Sequence, residues 1–294
     1  MNETAKARVS LVTAMLIFGT IGIFRRYIPL SSGLIAFARG LVGTLFLLGV
    51  LAVKKQKLSW EAVKQNGILL PLSGVLIGFN WILLFEAYNY TTVATATLCY
   101  YMSPVFVVLA SPFLLKERIT AKKGFCVLLS VIGMLLVSGI LSDTGGKRDF
   151  RGILFGLGAA LLYASVVILN KKITAIPAYD KTVVQLGSAA LVMIPYLLLT
   201  EDFGSIVLKP LPVILLFVVG ILHTGVAYAL YFGSFDKLPA QSVALFSYLD
   251  PAAAVILSAT VLQEPMGAWE MVGAVLVMAA AILGDVTLPK KKTA

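Results

Sequence analysis

Apolar runs long enough to cross a bilayer alternate with short polar connections along almost the whole chain. A helix spanning the hydrocarbon core needs about 20 mostly apolar residues. Ten segments meet that need: 9–28, 32–53, 67–88, 92–115, 121–141, 152–171, 182–200, 211–234, 240–262 and 267–286. The longest polar stretches fall near 54–66, 142–151, 172–181 and 201–210, too short to bury cores of their own. The pattern predicts an all-α polytopic membrane bundle of ten transmembrane helices, with the lipid bilayer as its surroundings.

Composition agrees. Hydrophobic residues make up 59% of the chain and charged residues 13%, with a mean hydropathy of +0.95. A soluble domain carries about a quarter charged residues. The net charge of +10 does not point to nucleic acid, because its lysines and arginines are scattered between apolar runs rather than gathered in a patch. They follow the positive-inside rule instead. With both termini cytoplasmic, 17 of the 24 lie on the cytoplasmic side, and Arg25, Arg26, Lys147, Arg148, Arg151 and Lys209 lie outside. Arg39 falls within a span. The bias predicts a multi-pass cell-membrane protein, and the polar lead 1–8 reads as the approach to the first span rather than as a signal peptide. Cys99 and Cys126 lie in apolar runs and read as small buried side chains.

One motif occurs twice. Tyr101, Pro104, Ser111, Leu115 and Glu117 recur as Tyr248, Pro251, Ser258, Leu262 and Glu264, always 147 positions on in a chain of 294. The same offset pairs Trp81 with Tyr228, Phe85 with Phe232 and Gly78 with Gly225. The chain therefore divides into two repeats, 1–141 (spans 1–5) and 152–286 (spans 6–10). Five spans per half is an odd number, so the second half enters the membrane upside down. The product is a five-plus-five inverted repeat, a form that transporters share, with substrate bound where the halves meet.

These features resemble the EamA type of the drug/metabolite transporter superfamily, over nearly the whole chain. The family's halves close with a Pro in the fourth helix, a Glu at its end and a Gly-containing fifth helix. Here the elements read Ser103-Pro104, Glu117 and Gly124 with Gly133, then Asp250-Pro251, Glu264 and Gly273. Asp250 departs from the family, where an uncharged residue is more usual. The resemblance implies transport of small organic metabolites, often export.

Asp250 is the sharpest candidate for chemistry. Ten residues after Ala240, it is expected near the middle of its span, with Ser247, Ala254 and Ser258 on its helical face. An unpaired carboxylate there costs several kcal/mol. It reads as a ligand for a substrate ammonium or as a carrier of a coupling proton, or else as a hydrogen-bond acceptor between helices. His223, the single histidine, falls near the middle of its own span. It reads as a proton partner of Asp250 or as a packing residue. Arg39 could hold a substrate carboxylate, or pair with Glu86, or snorkel to the outer interface.

Trp81, Tyr100, Tyr101, Tyr163, Tyr228 and Tyr248 lie away from the span ends where aromatic belts form. Any single ring reads equally as ordinary core packing; as a group they suit a central cavity for aromatic or cationic ligands. Glu117 and Glu264 read as carboxylates at the positive end of the following helix. Gly74-x-x-x-Gly78 and Gly152-x-x-x-Gly156 read as close helix contacts. No cofactor is expected, since no phosphate-binding Walker loop occurs and Gly152, Gly156 and Gly158 open a span rather than follow a strand.

The function these features favour is a secondary transporter of small organic metabolites, such as amino acids or related amines. An intramembrane enzyme, a channel and a membrane scaffold are the competing classes. The orientation has a direct check. With Cys99 and Cys126 replaced, a single cysteine at Lys57 is expected to react only from inside intact cells, and one at Lys147 from outside. The opposite pattern reverses the topology.

Overall fold

The computed structural model describes residues 3–114, 119–137, 150–206, 209–235, 238, 246 and 249–285. Among the described residues ten helical rods fall at the ten predicted spans. They are α1 (Glu3–Arg26, interrupted at Thr20), α2 (Ser32–Val53), α3 (Leu69–Tyr90), α4 (Val93–Leu114, interrupted at Tyr101 and Met102) and α5 (Ala121–Val137). The second half contains α6 (Phe150–Lys172), α7 (Ala178–Thr200), α8, α9 (Leu249–Thr260) and α10 (Ala268–Asp285). The rod α8 consists of Pro210–Val218, a π-helical stretch Val219–Val226, and Ala227–Phe235. Seven rods are long and apolar enough to cross a membrane, and α5, α9 and α10 carry shorter apolar stretches. The molecule is a polytopic helical membrane bundle.

Local chemistry sets several of the starts. Ser31 accepts from the Leu34 amide at 3.2 Å to begin α2, and Thr92 accepts from the Thr95 amide at 3.1 Å to begin α4. Pro210 opens α8, where its missing N–H costs nothing.

The packing repeats itself with the halves exchanged. Helix α3 lies along α6, and its repeat mate α8 lies along α1. Likewise α3 packs on α7 and α8 on α2, while α4 packs on α6 and α9 on α1. Helices α2 and α7 meet as mates, and so do α5 and α10. Each of these contacts thus has a counterpart, as a pseudo-twofold axis between the halves requires.

Glycines allow the closest of these approaches. A Cβ at Gly78 would sit 3.1 Å from Met193 on α7, and one at its mate Gly225 would strike Phe46, the mate of Met193, on α2. Gly74 faces the backbone of Gln185, while Gly152 and Gly156 face Thr91 and Cys99, so both predicted spacings mark helix contacts. Between α5 and α10 the two glycines meet each other. A Cβ on Gly133 would lie 2.8 Å from the Gly273 carbonyl oxygen, and one on Gly273 2.5 Å from that of Gly133. Gly273→Val is therefore expected to lower stability by about 1–3 kcal/mol, the cost of overpacking. Gly49→Ala, inside α2 at a position with nothing within 4 Å, should not lower it. Thermal unfolding of the two variants in the same detergent checks this.

Candidate functional site

Helices α1, α2, α3, α4, α6, α8 and α9 surround a cavity of about 320 Å³ at the seam of the halves. Two helix starts reach it. Pro104 has no N–H to donate to the carbonyl of Tyr100, so α4 breaks at Tyr101 and Met102 and resumes at Ser103. In the other half α9 is helical from Leu249, which puts Asp250 and Pro251 in the same register as Ser103 and Pro104. Asp250 thus lies in the first turn of α9, Leu249–Thr260; of the expected span 240–262, residues 240–245, 247 and 248 lie outside the described residues. A first-turn carboxylate meets the positive end of the helix dipole. Ala254 and Ser258 share its buried face as expected, and Ser247 lies outside the described residues.

Six of the predicted site residues line this cavity: Asp250, Arg39, Trp81, Tyr101, Tyr163 and Tyr228. The Tyr101 hydroxyl donates to Asp250 Oδ2 at 2.7 Å, joining α4 of one half to α9 of the other. Arg39 is 6% exposed, and its Nε donates to Thr224 Oγ1 at 2.8 Å. Its guanidinium carbon lies 4.3 Å from the centre of the Trp81 ring, within cation–π range. Tyr100 and Tyr163 meet at 5.4 Å, and Phe18 meets Tyr228 at the same separation edge to face. The result is an aromatic box with a guanidinium and a carboxylate in its wall.

Two sequence expectations come out differently. Arg39 and Glu86 form no ion pair among the described residues; Arg39 bonds Thr224, and Glu86 accepts from Asn89 at 3.2 Å. His223 stands off the cavity, fully buried, with Nε2 2.8 Å from Thr20 Oγ1 and its ring edge-on to Phe24 at 4.7 Å. No contact joins it to Asp250. Tyr248 lies outside the described residues. Conversely, Thr97, Phe18, Tyr231 and Thr224 take part although the sequence reading passed over them. Tyr231 follows Tyr228 at i+3 on an aromatic helix face, a spacing that could have flagged it. Among the described residues no three His, Cys, Asp or Glu gather to hold a metal ion.

A polar clasp closes the end of the bundle where α1 ends and α4 begins. Gln263 takes a left-handed conformation (φ 52°) after α9, turning the chain so that the Glu264 amide bonds Ser258 O at 3.1 Å. The Glu264 carboxylate then accepts from Arg26 at 2.5 Å, from the Val93 amide at 2.8 Å and from Ser258 Oγ. Arg26 also donates to Thr91 O at 2.9 Å. Glu264 therefore caps α4 in the other half rather than the helix that follows it in sequence. Its mate Glu117 lies outside the described residues.

Known proteins fix the family. The model of the EamA-like transporter family matches residues 6–139 and again residues 150–284. The chain belongs to the EamA-like transporter family. An uncharacterized transporter of Bacillus subtilis (strain 168), YxxF, is 30% identical over 96% of this chain and 90% of its own length. The protein RarD of Salmonella typhi is 27% identical over 77% of this chain and 76% of its own. A solved structure 16% identical in sequence, covering 95% of this chain and 96% of its own, superposes with a TM-score of 0.66 and shows the fold alone. The EamA-like chain described here is a multi-pass membrane transporter.

The clasp generates a stability test. Glu264→Ala leaves the Val93 amide without its acceptor and Arg26 with Thr91 O alone, and the loss expected for hydrogen bonds to a charged group is about 1.5–3 kcal/mol. Hydrogen exchange over 91–97 should rise at the same time, whereas Glu264→Gln, which keeps an acceptor oxygen, should lie between. Unchanged exchange in Glu264→Ala would remove the capping role.

Proposed function

We propose that this chain is a secondary transporter of the cell membrane, with both termini cytoplasmic, that carries amino acids or related amines by alternating access through the central cavity. Export is the direction that the family resemblance implies. The observation that carries the reading is the retention of two opposite charges, Asp250 and Arg39, in the wall of one aromatic cavity between pseudo-symmetric halves. An intramembrane charge costs several kcal/mol unless it is paired or faces a polar ligand or pathway. Asp250 would take the substrate ammonium, steadied by the Tyr101 hydroxyl, and the aromatic faces would hold its body.

The frame is symmetric and the charges are not. The mate of Asp250 is Ser103, and the mate of Arg39 is Leu186. Packing demands on the two halves are alike, so the unmatched charges favour a ligand-directed role over a structural one. An intramembrane enzyme is disfavoured because the hydrogen bond at Asp250 comes from a tyrosine already committed to it, with no separate nucleophile and base in view among the described cavity residues. A coupling proton on Asp250 is compatible with the same geometry.

Proteoliposome flux tests the reading. Saturable uptake of an amino acid, accelerated by unlabelled substrate on the far side, is expected of the native chain. Asp250→Asn, which keeps the shape and the bond from Tyr101, should abolish or uncouple that flux at unchanged thermal stability. If the carboxylate carries the coupling proton, the pH profile of any residual flux should also flatten. Full flux in well-folded Asp250→Asn would take the carboxylate out of the mechanism.

A further inference from the structure

The π-helical stretch of α8 has a regular counterpart. Its mates, residues 72–79, lie within the unbroken α-helix Leu69–Tyr90. A π-turn widens the helix by one residue and re-aims the side chains around it, and such turns concentrate at functional sites. Here the turn carries Thr224, whose mate is Ile77. The side chain of Thr224 is fully buried, and its hydroxyl has two partners. Oγ1 donates to the Val219 carbonyl, five residues back, at 3.3 Å. That commitment of its proton leaves a lone pair for Arg39 Nε, which donates to it at 2.8 Å.

The turn is also pinned against the helix that bears Arg39. A Cβ at Gly43, one turn beyond Arg39, would meet the Thr224 side chain, while Gly220 and Gly225 press against Val42 and Phe46 of the same helix. Arg39 and Thr224 therefore keep a fixed register.

A guanidinium offers two edges to a planar anion, one made by Nε with a terminal nitrogen and one made by both terminal nitrogens. Thr224 occupies Nε. Among the described residues Arg39 makes no second hydrogen bond, and Trp81 covers a face rather than an edge. The edge of the two terminal nitrogens is left for a ligand, and the side chain lines the cavity. We infer that Thr224, held in the π-turn of α8, positions Arg39 as a two-pronged receptor for a substrate carboxylate, so that the site favours carboxylates over simple amines. This rests on the reading of the cavity as a substrate site and narrows its ligand class.

Binding separates this inference from the transport reading. The full chain in nanodiscs is titrated with L-phenylalanine, with 3-phenylpropionate (which lacks the ammonium) and with phenethylamine (which lacks the carboxylate), followed by tryptophan fluorescence or calorimetry. Wild type should bind L-phenylalanine more tightly than phenethylamine by about tenfold or more, the scale of hydrogen bonds to a charged group. Thr224→Val, which preserves shape, should weaken both carboxylate probes about tenfold and leave phenethylamine within about twofold. Thr224→Ser, which keeps the hydroxyl, should restore carboxylate binding.

Equal weakening of all three probes in Thr224→Val would make Thr224 a packing residue and overturn the inference. So would wild-type binding of phenethylamine as tight as that of L-phenylalanine, or no carboxylate binding at millimolar concentration. Carboxylate binding with the expected pattern but without flux would sink the transport reading and leave this one standing.

Discussion

In hydrocarbon an unpaired backbone carbonyl or amide costs several kcal/mol, so a helix breaks at membrane depth only where protein or a cavity takes up the freed groups. The site of this EamA-like transporter is built on that constraint. Pro104 removes a donor from α4, and the helix restarts at Ser103 beside the cavity. Pro251 holds the matching place in α9, with Asp250 in the turn it opens. The aromatic lining, the bond between Tyr101 and Asp250 and the meeting of the halves all lie around these two helix starts.

Much of the architecture was legible because lipid imposes simple rules on sequence. Apolar length places the ten rods, and a constant offset at Tyr101, Pro104, Ser111 and their mates reveals the two halves. Six cavity residues were also legible, since charges and aromatic rings deep in spans have few other uses. The misses share a cause. Thr224 matters through a π-turn, which depends on how α8 meets α2 and leaves no periodic trace. Glu264 caps a helix 171 residues earlier in the chain, at Val93, and only tertiary structure brings them together. His223 looked like a proton partner of Asp250 by depth alone. Depth does not fix the direction a side chain faces, and the ring turns towards Thr20 and Phe24 on α1.

The two halves divide frame from chemistry. Glycine contacts, helix pairings and Pro positions repeat across the pseudo-axis. Asp250, Arg39 and the π-turn do not: the two charges line one cavity, and the π-turn bears on it through the bond from Arg39 to Thr224. A duplicated fold thus supplies two similar walls, and a few unmatched residues give the space between them a polarity that neither half has alone.

The contact between α5 and α10 lies apart from that cavity and has a different consequence. The two helices are repeat mates, 121 standing 147 positions before 268, so they meet across the pseudo-axis as a helix meets its own copy in a twofold homodimer, an isologous contact in which each side is both surface and partner. Either half therefore carries a self-complementary face suited to an oppositely inserted copy. Joining the two halves in one chain converts that encounter into an intramolecular one. Antiparallel assembly then no longer depends on two separately inserted chains finding each other in the plane of the bilayer, and each face can change without having to remain its own best partner.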